Sequence, residues 1–169
     1  MKKIRVLLLL PLTILFFAVG ARTASALELP DKAKALLDEE YPGWEFSSGD
    51  PSCRRETTLS DDFDGDGKDD YAVMLRIKRS VSIVVLLADG EGYKSRELKR
   101  RLGGNEFVTV APKGEVYSDI SRVLDSMESV RERKLKLATL VIQPCGGGEK
   151  HYLIPEYGDF KTVTDKDQR

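Results

Sequence analysis

The run Val81-Ser-Ile-Val-Val-Leu-Leu-Ala88 is apolar at nearly every position and rich in β-branched residues. Such side chains are stiff at χ1 and pack well on a pleated surface. Apolar residues on both alternating faces mark a central strand that is covered on both sides. The flanking segments extend the pattern. Residues 71–78 alternate, with Tyr71, Val73, Leu75 and Ile77 on one side, and a turn at 78–80 follows. Asp89-Gly90-Glu91-Gly92 is a hairpin turn, after which Tyr93 to Leu98 alternates and pairs back. These three strands form an antiparallel meander, and the rest of the chain has to extend it or cover it.

Residues 31–40 are rich in helix formers, with Asp31 as the expected N-cap and Pro42-Gly43 as the stop. Ala33, Leu36, Leu37 and Tyr41 make one apolar stripe suited to a sheet face. Trp44 to Phe46 reads as a short strand with Trp44 in a core or hinge role, and residues 47–58 read as loop. Further strands are expected at 106–110, 135–142, 151–154 and 159–163. Ile120, Val123, Leu124, Met127 and Val130 fit a 3.6-residue period and predict a second amphipathic helix over 118–131. The fold class expected is α+β. An antiparallel sheet of six to eight strands carries the N-terminal helix on one face, with a second short helix at 118–131.

Residues 1–26 read as a secretory signal peptide: Lys2, Lys3 and Arg5, then an apolar run from Val6 to Gly20, then Ala24-Ser25-Ala26. The rival reading is an uncleaved anchor. Pro11 interrupts the run, which falls short of the ~20 residues a span needs. Residues 27–169 then form a single exported domain, periplasmic or secreted, with no stable membrane span after cleavage. Residues 1–26 hold four of the 27 basic residues and none of the 28 acidic ones, so the remainder is net −5. That balance does not point to nucleic acid. In an oxidising compartment the two cysteines, Cys53 and Cys145, read as a disulfide, with two separate thiols as the alternative. Closing a loop of that length stabilises by roughly 4–5 kcal/mol in the chain-entropy picture.

The most specific chemistry lies in Asp61-Asp-Phe-Asp-Gly-Asp-Gly-Lys-Asp-Asp70. Like charges this close repel, and a bound cation offsets the repulsion. Flexible oxygen-rich loops suit Ca²⁺. Counted from Asp62, the carboxylates of Asp62, Asp64 and Asp66 fall at positions 1, 3 and 5. Gly67 takes the turn at position 6, Lys68 offers its backbone carbonyl at position 7, and Asp70 stands at position 9. Position 12 is Val73 rather than Glu, and a strand follows rather than a helix. A sensor that opens a helix pair is therefore not expected, and a structural Ca²⁺ is.

Asp62-Phe-Asp-Gly-Asp-Gly-Lys-Asp-Asp70 followed by an apolar strand resembles the calcium loop of FG-GAP/VCBS-type repeats, which are β-propeller-blade units. The resemblance implies metal ligands at Asp62, Asp64, Asp66, Lys68 (through its carbonyl) and Asp70. With one such loop and a propeller needing typically 4–8 blades, a stand-alone unit is implied.

Catalytic signatures are sparse. Gly146 to Gly148 leads into a strand with Pro155, not into the helix of a phosphate cradle. Cys145 and His151 lack an identifiable third group, and a lone His does not build a multi-histidine zinc site. The expected function is an exported, calcium-binding, non-enzymatic domain serving as an interaction module of the cell envelope. Its partner would be another exported protein, or an anionic envelope component facing the basic runs at 99–101 and 131–136. The alternative is an envelope hydrolase whose site uses, or is supported by, the cation.

Overall fold

The computed structural model describes residues 27–47, 56–98, 102–103, 105–122, 128–156 and 159–165, with the side chains of 118–131 excepted. Residues 1–26, read as the signal peptide, lie outside them. So does Cys53 and the basic run at 99–101. Among the described residues no helix is long and apolar enough to cross a membrane.

Among the described residues the architecture is mostly antiparallel β with one helix. The elements are α1 (Asp31–Glu40), β1 (Glu45–Phe46), β2 (Thr58–Asp61), β3 (Asp70–Ile77), β4 (Ser80–Asp89), β5 (Gly92–Leu98), β6 (Glu106–Ala111), β7 (Val116–Arg122), β8 (Glu128–Lys134), β9 (Thr139–Pro144), β10 (Lys150–Glu156) and β11 (Asp159–Asp165). One sheet contains the meander β3-β4-β5, with β1 and β2 both paired along the outer edge of β3. A second sheet runs β11-β10-β9-β6, and β7 pairs with β8.

Four consecutive side chains of β4, Ile83 to Leu86, are all fully buried. They divide by parity. Val84 and Leu86 join Val73 and Leu75 against Ala33 and Leu37 of α1. Ile83 and Val85 join Ala72 and Met74 against Val108, Leu140, Ile142 and Leu153 of the second sheet. Each fully buried aliphatic side chain contributes roughly 1.5–3 kcal/mol relative to exposure. The outer face of the second sheet is closed by Tyr117 and Leu135 over Val141, Tyr152 and Val163.

Several sequence expectations change. One helix covers only one face of the meander, so the opposite face, including Ile83 and Val85, required a second layer. That layer is a second sheet, in place of one continuous sheet of six to eight strands. The segment expected as a second helix over 118–131 is occupied by β7 and β8, whose register places Ile120 opposite Val130. Its first arm, Val116-Tyr-Ser-Asp-Ile-Ser-Arg122, is poor in strong helix formers. Pairing the two arms satisfies their backbone groups. Val123, Leu124 and Met127 of that expectation lie outside the described residues.

β9 starts at Thr139, because Leu135 to Ala138 form the link from β8, where the Thr139 hydroxyl bonds the Leu137 carbonyl. Asp31 is the first helical residue and Pro30 the cap, with no side-chain cap bond. Proline fixes an extended entry, and an acid in the first turn suits the helix dipole. Trp44 packs against the helix-side core and its indole N–H donates to Asp38 at 2.8 Å.

Candidate metal centre

The acidic segment is the loop from β2 to β3, and its ends are the paired residues Asp61 and Asp70. It is pinned from below by its one apolar residue. Phe63 is fully buried in the core between the two sheets. Gly65 and Gly67 take positive φ angles of 87° and 82°, which lets the chain fold back on itself.

Asp70 is the anchor. It is fully buried, and its Oδ2 accepts the backbone N–H groups of Phe63 at 2.8 Å and Asp64 at 3.3 Å. Its Oδ1 accepts the Ala88 N–H from β4 at 2.8 Å. A carboxylate has about four lone-pair sites, so these three bonds leave roughly one for a further partner. Asp62 folds inward over the loop, accepting from Gly65 N–H at 2.7 Å and Gly67 N–H at 3.1 Å. Asp64 accepts from Asp66 N–H at 3.0 Å.

The result is convergence. Asp62, Asp64 and Asp70 each bring a carboxylate oxygen within 4.8 Å of the others. Asp66 is not part of that group. Its Oδ1 accepts the Lys68 N–H at 2.9 Å, and its Oδ2 sits 3.0 Å from the Lys68 ammonium. Of the five residues expected as ligands, three come together and two are paired with each other. The pairing holds the Asp66 carboxyl below its usual range, chiefly through the Lys68 side chain and then its backbone N–H. Lys68 is held up by the same contact. Asp70 moves the other way: burial raises it, and the negative Asp64 adds to the rise, against the three N–H bonds.

Three participants were not singled out from sequence: Phe63, Ala88 and Leu137. A Cβ on Gly65 would stand 2.9 Å from Leu137 Cδ2, so the β8–β9 link rests against the loop. Only Phe63 left a signal in the sequence, as the lone apolar residue among acids. Cys145 follows β9, where its N–H donates to the Asn105 carbonyl at 2.8 Å. The pairing with Cys53 falls outside the described residues.

Comparison of the chain with family models, curated proteins and solved structures finds no match.

Proposed function

We propose that this chain is an exported, non-enzymatic domain in which one structural Ca²⁺ clasps the β2–β3 loop. The observation that carries the reading is the convergence of Asp62, Asp64 and Asp70 on a buried, sheet-anchored carboxylate. Three acids this close repel one another, and burial makes the charge on Asp70 costly. A divalent cation offsets both. Asp66 completes the set by exchanging Lys68 for the metal, and the Lys68 carbonyl supplies the position-7 oxygen. The likeness of Asp62 to Asp70 to FG-GAP/VCBS-type calcium loops supports Ca²⁺ over smaller cations. Extracellular Ca²⁺ would keep such a site filled, so the ion serves as a permanent part of the fold. A Cys53–Cys145 disulfide belongs to the same exported reading. The role is that of an interaction module, engaging another exported protein or an anionic envelope component.

Thermal melting with Ca²⁺ against chelator tests this. At a hundredfold excess over Kd, Ca²⁺ stabilises by about 2.7 kcal/mol. The expected result is a higher Tm in Ca²⁺, with no shift when Asp64 and Asp66 are both changed to Ala. An unchanged Tm in the native chain contradicts the reading.

A further inference from the structure

We propose that the groove between the start of α1 and the β4–β5 turn binds an organic cation, a quaternary or primary ammonium group, against the rings of Tyr71 and Tyr93. The groove holds about 510 Å³. That is within the size range of small-molecule sites. Tyr71 of β3 and Tyr93 of β5 line it, with ring centroids 5.7 Å apart and planes at 73°. Two partly buried rings set nearly at right angles form an aromatic corner. The faces of such rings carry negative charge density, and cations are attracted to them within about 6 Å.

The charged groups in the groove sort into matched and unmatched. The Lys32 ammonium donates to the Glu91 carbonyl at 2.6 Å and lies 3.7 Å from the Glu91 carboxylate. The Lys68 ammonium is held by Asp66 at 3.0 Å. Both cations are therefore taken. Asp31 and Asp69 also line the groove, and no hydrogen bond or ion pair engages their carboxylates among the described residues. The acidic β2–β3 loop adjoins them through Lys68 and Asp69. The groove thus brings two aromatic rings, set edge to face, together with the carboxylates of Asp31 and Asp69, a combination that favours a cation over an anion. Tyr93 stays a neutral phenol, since burial, and then the neighbouring Tyr71, push it above its usual range. Tyr71, Tyr93, Asp31 and Asp69 are not ligands in the calcium reading, so the inference does not rest on it.

The test is calorimetric titration of the purified protein, in chelator, with choline and with its neutral isostere 3,3-dimethyl-1-butanol. Choline is expected to saturate one site, and the neutral isostere to bind at least about tenfold more weakly. Tyr93→Ala should weaken choline at least about tenfold, whereas Tyr93→Phe, which keeps the ring face, should stay within about twofold. Asp69→Asn should weaken it about threefold. Equal binding of the two probes, no saturable choline heat, or retained binding in Tyr93→Ala would overturn the proposal. A second arm separates the sources of the ammonium group. Co-sedimentation with phosphatidylcholine vesicles that free choline reverses assigns a lipid headgroup, and choline binding without vesicle binding assigns a soluble amine.

Discussion

Asp70 and Ala88 are eighteen residues apart, yet the Ala88 N–H donates to Asp70 Oδ1 at 2.8 Å. The bond joins the first residue of β3 to the end of β4, so the loop's anchoring carboxylate is positioned by the sheet as well as by its own turn. Its other oxygen holds Phe63 and Asp64. Asp70 therefore has a structural role that precedes any ligand.

Asp70→Ala should be costly even in chelator, because it strands three N–H donors around a buried site. Each orphaned donor costs about 1–3 kcal/mol, and the sum is expected to fall near the low end as water enters. Asp70→Asn keeps one acceptor oxygen and should cost less in chelator. Urea unfolding of both variants measures the difference. Equal losses would contradict the assigned roles of the two oxygens.

Gly65→Ala and Gly67→Ala both place a side chain at positive φ, which costs about 1–2 kcal/mol. They differ in surroundings. A Cβ at Gly65 meets Leu137, whereas nothing lies within 4 Å of one at Gly67. Gly65→Ala should therefore be the more destabilising, and adding Leu137→Ala should narrow the gap. A double-mutant cycle reads the coupling. Indistinguishable costs for the two glycines would place Leu137 away from the loop.

Lys68 is the competitor for Asp66. Removing its ammonium while keeping its backbone carbonyl should tighten Ca²⁺. An exposed pair of this kind is weak, so Lys68→Ala should lower Kd by no more than about fivefold. Weaker binding in Lys68→Ala would show that the ammonium does not oppose the metal.

Arg96 of β5 reaches Asp159 of β11 at 3.3 Å and bridges the two sheets at the surface. The Phe160 N–H, followed by Arg96, holds the Asp159 carboxyl below its usual range. A lowered folded-state value stabilises above the unfolded value, about 3.9, and that contribution is lost as pH falls through the folded value. Asp159→Asn keeps the acceptor for Phe160 and removes the charge. Its small deficit at neutral pH should shrink in strong acid and in high salt. A urea-midpoint gap that persists at low pH would contradict the ion-pair origin.

Much of the architecture was legible in local pattern. The parity of residues 71–88 gave both faces of the meander, and the stripe Ala33, Leu36, Leu37 gave the helix side. The second sheet was not legible, although the apolar second face of β4 already demanded a cover. Nothing local in β6, β9 and β10 says which partner strand each will choose. β2 was missed because four residues with a single core apolar, Leu59, leave too short a pattern. The 118–131 segment misled because its apolar residues suit a helical period, while its β-branched, Ser- and Asp-containing arms suit a hairpin. At the loop, spacing identified Asp62, Asp64 and Asp70. It could not foresee that Lys68 would claim Asp66, since that depends on side chains turning toward each other at close range.

The most direct test of the central claim is calorimetric titration of the purified protein with Ca²⁺. One site per chain is predicted, lost in Asp62→Ala and in Asp64→Ala while both variants remain folded. Absence of heat in the native protein, or unchanged binding in both variants, would contradict a calcium clasp at the β2–β3 loop.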